Sequence, residues 1–167
     1  KRIFRKIYKM ANSKLVDLLW GSDHRGLELK EYLSEYVCPI KTDKDSKFNI
    51  ATMYDVGTYT NKKCDYPHIV KKFHNHFDIY THGILICGSG FGVCMAANRF
   101  KNIRAATCRT AKEVEIARRH NNINVLCLGA NFTSKSRAKG LVKTFFQTDF
   151  ENGRHKKRIN ILKTINK

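Results

Sequence analysis

The clearest candidate for chemistry is a cysteine that ends an apolar run and precedes a glycine-rich turn. Residues 83–87 read GILIC and residues 88–92 read GSGFG. Glycines let a backbone come close to a ligand, and the free N–H groups at a helix start attract negative charge. A thiol just before such a terminus is favoured as the thiolate, which acts as a base or a nucleophile. We therefore single out Cys87 and interpret the other five of the six cysteines as small core residues.

The glycines themselves do not fit two common nucleotide sites. Gly88, Gly90 and Gly92 form G-x-G-x-G, and Val93 stands where a dinucleotide fingerprint needs its last glycine. A phosphate-binding P-loop needs a lysine after the turn, and no lysine follows here. We expect no cofactor.

Three histidines close in sequence, His74, His76 and His82, raise the question of a metal site. On a helix, side chains two positions apart point about 200° apart, so His74 and His76 would face different ways. No carboxylate or cysteine completes a ligand set at a useful spacing. We interpret these residues as surface histidines and expect no metal.

The elements that must position Cys87 follow from the hydrophobic patterning. Strands are predicted at residues 15–20, 53–56, 83–87, 103–108 and 124–128. Helices are predicted at residues 27–37, 67–77, 93–98, 111–119, 134–146 and 151–165, and a loop at residues 41–49. This alternation predicts an α/β fold of the Rossmann-like, three-layer kind, with a five-stranded parallel sheet covered on both faces. Ligands of such sheets bind at the carboxyl ends of the strands, where Cys87 is expected to lie.

The composition predicts one globular domain with a basic surface. The chain has 167 residues, 42% of them hydrophobic, and a net charge of +18. We interpret residues 1–14 as a basic amino-terminal extension and residues 15–167 as the domain. The apolar runs are too short for a membrane span. The cysteines are scattered without any C-x-x-C pair, so we expect a reducing, cytoplasmic setting.

The positive charge suits nucleic acid, a membrane surface or an anionic small molecule. No helix-turn-helix, zinc-finger or RNA-binding aromatic motif is present in the sequence. A small anionic ligand is therefore favoured, and neither a membrane nor nucleic acid is expected as the partner.

Five ordered segments resemble the type B ribose-5-phosphate isomerase family. The longest reads ILICGSGFG at 84–92, with AANR at 96–99. The others are GSDH at 21–24, DYPH at 65–68, RHN at 119–121 and GRHKKR at 153–158. The related galactose-6-phosphate isomerases share this scaffold, so a hexose 6-phosphate of galactose or allose stays open beside ribose 5-phosphate as the substrate. A basic nucleic-acid-binding protein on a degenerate isomerase fold is the remaining alternative.

The resemblance implies an aldose–ketose isomerisation through an enediolate, interconverting ribose 5-phosphate and ribulose 5-phosphate, with Cys87 as the base. One branch of the family uses a glutamate six positions later, where this chain has Val93. The N–H groups of residues 88–92, helped by the Ser89 hydroxyl, would form the oxyanion hole, and His120 would open the sugar ring. The implied substrate-binding residues are Asp23, His24, Tyr66, Gly88, Gly90, Gly92, Asn121, Arg154 and Arg158.

The resemblance also implies that the carboxyl-terminal helix extends to the partner in a homodimer, or in a tetramer. Arg154 and Arg158 of one chain would then reach the Cys87 loop of another. These arginines are four residues apart, so on a helix they share one face and can clamp a phosphate together. The sequence departs from the family at Asn131, where an arginine thought to help with phosphate is common. One positive charge is missing there.

Overall fold

The computed structural model describes residues 14–40 and 48–165, and within them the predicted alternation of strands and helices is confirmed. The strands are β1 (Lys14–Ser22), β2 (Phe48–Asp55), β3 (His82–Cys87), β4 (Ala105–Thr107) and β5 (Val125–Gly129). The helices are α1 (Leu27–Ile40), α2 (Tyr66–Phe77), α3 (Phe91–Ala97), α4 (Ala111–Asn121), α5 (Lys135–Gln147) and α6 (Gly153–Ile165). Nearly all of the predicted amino-terminal extension and of the 41–49 loop lies outside the described residues.

The sheet is parallel throughout, as predicted, with the strand order β2-β1-β3-β5-β4. Strand β3 is central, and its register pairs Gly83 with Val125 and Cys87 with Gly129. The connection from β1 leads to β2 at one edge of the sheet, and the connection from β3 leads to β4 at the other edge. Such a switch point leaves a crevice at the carboxyl ends of these two strands, and Cys87 ends one of them.

Alternate residues of β3 feed two separate cores. Ile84 and Ile86 pack with α1 and α5 on one face, whereas Leu85 and Cys87 pack with α2 and α3 on the other. All six residues of β3 are buried, as expected for a central parallel strand covered on both faces. The three-layer arrangement holds the strand's end, and with it Cys87, in a fixed place.

Strand β2 differs most from the prediction, because it begins at Phe48 rather than at residue 53. Residues 48–52 carry little strand signal of their own. They extend because they pair with β1, with Val16 opposite Ile50, and an irregularity follows between Val16 and Asp17. The pairing of distant segments overrides weak local preference here.

The interpretation of three surface histidines is wrong for His82. The side chain of His82 is buried, and its ring lies edge-on to the rings of Phe145 at 5.3 Å and Phe146 at 5.8 Å. The half-buried ring of His74 stacks on Phe100 with 3.9 Å between centroids, and His76 is exposed. The three histidines therefore lie in three different environments.

The β4 edge of the sheet is occupied by a side chain. The Asn98 amide donates to the Ala105 carbonyl at 2.9 Å and accepts the Ala105 N–H at 2.9 Å. One side-chain amide thus pairs both backbone groups of a residue in the edge strand.

Across residues 14–40 and 48–165, every helix is too short or too polar to span a bilayer.

Candidate active site

The Cys87 loop, residues 87–92, connects the carboxyl end of β3 to α3. The buried Cys87 Sγ accepts the Gly90 N–H at 3.2 Å. The Ser89 Oγ accepts the Phe91 N–H at 3.3 Å. Two N–H groups of the predicted oxyanion hole therefore donate to side chains of the loop itself.

Gly90 fixes the shape of this loop. Its φ of 80° is in the left-handed region, where a side chain is strained. A Cβ added at Gly90 would lie 2.9 Å from Thr107 Cγ2 and 3.0 Å from the Gly129 nitrogen. The Thr107 hydroxyl donates to the Gly90 carbonyl at 2.9 Å. The loop is thereby held against the ends of β4 and β5, and only glycine fits.

Asp23 lies beside the end of β3, as the prediction requires. Its N–H donates to the Ile86 carbonyl at 3.1 Å. The buried carboxylate accepts the N–H groups of Arg25 at 2.9 Å and Gly26 at 3.0 Å. One oxygen of Asp23 therefore stabilises the turn that leads into α1.

His24 and Tyr66 lie on the same side of the sheet. The His24 Nδ1 is 3.3 Å from both the nitrogen and the oxygen of Cys64, which leaves Nε2 for a ligand. A Cβ added at Gly92 would lie 2.7 Å from the Tyr66 ring, so that ring borders the Cys87 loop. We call Asp23, His24, Tyr66 and residues 87–92 the Cys87 cluster.

A second group of predicted site residues gathers where α4 ends and α6 begins. The rings of His120 and His155 are stacked, with centroids 4.3 Å apart and planes 3° from parallel. The Glu151 Oε2 lies 3.8 Å from His120 Nε2 and 2.8 Å from Arg119 Nη2. We call the following residues the His120 cluster: His120, Asn121, Glu151, Arg154, His155 and Arg158.

The His120 cluster contains three residues that could hold a metal ion, since ligand atoms of His120, Glu151 and His155 lie within 4.8 Å of one another. Its charge argues against a cation. Arg119 already pairs with Glu151, and the Arg154 Nε donates to His155 Nε2 at 3.5 Å. Burial of the ring, and then electrostatic interaction with His120 and Arg154, lower the pKa of His155 below its ordinary 6.5. The cluster suits an anion better.

Within one chain, the Cys87 cluster lies at the carboxyl ends of the strands and the His120 cluster lies near their amino ends. Helix α4 starts after the carboxyl end of β4 and runs back over 11 residues, about 16 Å, to Asn121. Asn124 then donates to the Arg104 carbonyl and its own carbonyl accepts from Gly83, at the amino ends of the strands. From Gly83 to Cys87, β3 rises about 13 Å. His120 and Cys87 therefore cannot contact one sugar phosphate in a single chain.

The end of α4 is positioned by Arg118, which sequence reasoning did not single out. Its side chain is buried, and it donates to the Thr148 carbonyl at 3.0 Å and to the Ile123 carbonyl. Burial lowers its pKa to about 10. An arginine next to two basic residues looks like a solvated face, so nothing in the sequence marks it.

The thiols fall into different environments. In the described part of the structure Cys64, Cys87, Cys94, Cys108 and Cys127 are free, while the side chain of Cys38 lies outside it. The interpretation as core residues is confirmed for Cys108 and Cys127 and wrong for Cys64 and Cys94, which are half-buried. A hydrogen bond with Cys127 lowers the pKa of Cys94 to about 6. The expected reducing, cytoplasmic setting stays a prediction.

A parallel α/β sheet with a thiol-bearing loop at its switch point is a fold of the Rossmann-like class. The chain belongs to the ribose/galactose isomerase family, whose sequence model it matches over residues 18–162, and it is an aldose–ketose isomerase. The resemblance noted in the sequence is thereby confirmed. The division at residue 14 stays a prediction.

Individual relatives agree with this assignment. The chain is 40% identical over 145 residues to a probable ribose-5-phosphate isomerase B of Mycoplasma genitalium, covering 84% of this chain and 89% of the relative. It is 30% identical over 150 residues to the ribose-5-phosphate isomerase B of Escherichia coli, covering 89% and 95%.

Solved structures agree as well. The Thermotoga maritima ribose 5-phosphate isomerase superposes with a TM-score of 0.81 at 35% identity, covering 90% of this chain and 99% of that one. The Mycoplasma genitalium enzyme, solved with bound ribulose-5-phosphate, gives a TM-score of 0.75 at 36% identity, with 91% and 96% covered.

Proposed function

We propose that this chain interconverts ribose 5-phosphate and ribulose 5-phosphate, with the Cys87 thiolate as the base. The observation that carries the proposal is the Cys87 Sγ at the end of the central strand, 3.2 Å from the Gly90 nitrogen. The pentose is supported by the names of the relatives and by the ribulose-5-phosphate bound to the Mycoplasma genitalium enzyme.

The isomerisation moves a proton from C2 to C1 through an enediolate. The thiolate of Cys87 takes the proton from C2, and negative charge develops on O1. A proton then passes from O2 to O1, and the thiol returns its proton to C1. The base ends in its starting form, so no other reactant is consumed. The Ser89 hydroxyl and N–H groups of the Cys87 loop stabilise the developing oxyanion.

Ring opening precedes this step, and His120 is the residue proposed for it. His120 lies near the amino ends of the strands, whereas Cys87 lies at a carboxyl end. It would therefore act on a substrate bound at the Cys87 loop of a second copy. Exposed apolar side chains of α6 support such an assembly: Ile161 is 53%, Leu162 49% and Ile165 67% exposed in the single chain. A two-fold dimer would make two equivalent composite sites.

The same assembly supplies the phosphate with positive charge. Arg154 and Arg158 are exposed on the first turns of α6, beside the ring of His155, whose pKa their charges help to lower. Guanidinium groups bind phosphate through paired, charge-assisted hydrogen bonds. Asn121, at the end of α4, would contact sugar hydroxyls beside them.

The experiment compares kcat/KM for ribose 5-phosphate, allose 6-phosphate and galactose 6-phosphate on the same preparation. Ribose 5-phosphate should give the highest value, and Cys87→Ser should abolish turnover of all three. A higher kcat/KM for either hexose 6-phosphate would overturn the pentose assignment. Turnover that survives in Cys87→Ser would overturn the cysteine base.

A further inference from the structure

Arg25 is an arginine without a protein partner at the edge of the Cys87 cluster. It lies in the turn between β1 and α1, where its N–H donates to Asp23 Oδ1 at 2.9 Å, so its backbone is fixed. The side chain is exposed. Among the residues described, no carboxylate lies within ion-pair distance of the Arg25 guanidinium, and no acceptor binds the N–H groups of that side chain.

The side chain of Arg25 runs along the Cys87 loop. A Cβ added at Gly88 would lie 2.9 Å from Arg25 Cδ and 3.8 Å from Arg25 Cβ. The same added atom would lie 3.4 Å from Asn131 Nδ2. The stem of Arg25 thus packs on the residue that follows Cys87, and the neutral amide of Asn131 lies beside the same glycine.

Two other arginines near the clusters, Arg119 and Arg109, already have partners. Arg119 pairs with Glu115 at 3.1 Å and with Glu151 at 2.8 Å. Arg109 lies 5.2 Å from the ring centroids of both Phe91 and Phe132, next to the Cys87 loop. The guanidinium of Arg25 instead has five donors without an acceptor among the described residues, and its stem lies beside Gly88.

We propose that Arg25 binds the phosphate group of the substrate. This inference rests on the proposed function, because it concerns the same site and a phosphorylated sugar. The phosphate is the only lasting negative charge on such a substrate, and a guanidinium is its strongest side-chain partner. Arg25 then provides, from the β1–α1 turn, a positive charge beside Gly88, where the nearby Asn131 is neutral. His24, next in sequence, offers its Nε2 to the same region.

The main test measures binding rather than turnover. In a Cys87→Ser background, titration calorimetry gives the Kd for ribose 5-phosphate and for inorganic phosphate. Arg25→Ala should weaken both by about 10-fold to 100-fold, the range of one hydrogen bond to a charged group. Arg25→Gln keeps most of the stem on Gly88 and should weaken both to a similar degree. Lys143→Ala removes the same charge from the exposed side of α5 and should leave both unchanged.

A second variant tests whether the position of the charge matters. Adding Asn131→Arg to Arg25→Ala restores a guanidinium beside Gly88, and the Kd values should return to within about threefold of the parent. If Arg25→Ala and Lys143→Ala bind phosphate equally well, the proposal is wrong. It is also wrong if Arg25→Ala, made in the chain that retains Cys87, lowers kcat while KM stays unchanged, since the guanidinium would then act on the enediolate. A failure of isomerisation in the wild-type chain would instead contradict the proposed function.

Discussion

The rings of His120 and His155 are stacked 4.3 Å apart although they belong to two helices. His155 is buried and His120 half-buried, so the stack covers one face of the more accessible ring. Glu151 completes the arrangement from the segment before α6, and its N–H donates to the Arg119 carbonyl at 3.0 Å. The candidate for ring opening is therefore held by the same helix that carries the candidate phosphate ligands.

This stack predicts a pH dependence of stability. The folded state holds the pKa of His155 below 6.5, so the unfolded chain takes up a proton more readily. The free energy of unfolding should therefore fall as pH drops below 6.5 toward the folded-state pKa, and be fully present above 6.5. Urea unfolding from pH 7.5 to 5.5 measures the slope. His155→Phe keeps a stacked ring that does not titrate and should flatten it. Equal slopes in both proteins would contradict the assignment.

Replacement of Cys87 by serine should remove the base while leaving the pocket intact. The kcat for ribose 5-phosphate should fall at least about 100-fold, since general-base catalysis is typically worth that much. The Kd for inorganic phosphate should stay unchanged. Cys108→Ser, at a buried thiol outside the loop, is the control. A Cys87→Ser enzyme that keeps more than about a tenth of the parent kcat would rule out a catalytic thiolate.

Thiol labelling must take Cys94 into account. Hydrogen bonds with Cys127, and further with Thr107, lower its pKa to about 6, so we expect a larger thiolate fraction at neutral pH than for an ordinary cysteine. Alkylation of Cys94 by iodoacetamide, followed by peptide mass spectrometry, should rise with a midpoint near pH 6. Cys108, whose pKa burial raises to about 12, should stay unlabelled. Cys127→Ala should move the Cys94 midpoint upward. A midpoint above pH 8 in the parent would disprove the thiolate.

Mixed dimers test the composite site. Cys87→Ala and Arg158→Ala chains should each be nearly inactive, because each damages both sites of its own dimer. After subunit exchange in equal amounts, about half of the dimers are mixed and each has one intact site, so about a quarter of wild-type activity should return. Two Cys87→Ala preparations mixed with each other give the background. If mass spectrometry detects mixed dimers and activity does not return, each site is made by one chain.

The sequence predicted the central part of the fold better than its borders. The run at 83–87 is apolar and ends in glycines, so its strand and the loop after it are locally encoded. Strand β2 was misplaced at its start because Phe48 and its neighbours extend only through pairing with β1. His82 was misjudged because Phe145 and Phe146, which surround it, lie more than sixty residues away in the chain.

In the candidate site too, residues within motifs could be predicted from the sequence, and an isolated residue could not. Cys87, Asp23 and Tyr66 were found through motifs, and the structure gathers them at one edge of the sheet. Arg25 was not singled out, because a lone arginine in a turn has no pattern. Its significance depends on Gly88, which lies sixty-three residues later and whose missing side chain makes room for it.

The amide of Asn98 has a consequence for association between copies. It pairs both backbone groups of Ala105 with the geometry that a neighbouring peptide would use. A β-sheet grows when an incoming strand finds such groups unpaired. At Ala105 that position is already taken, so β4 is a poor template for another chain.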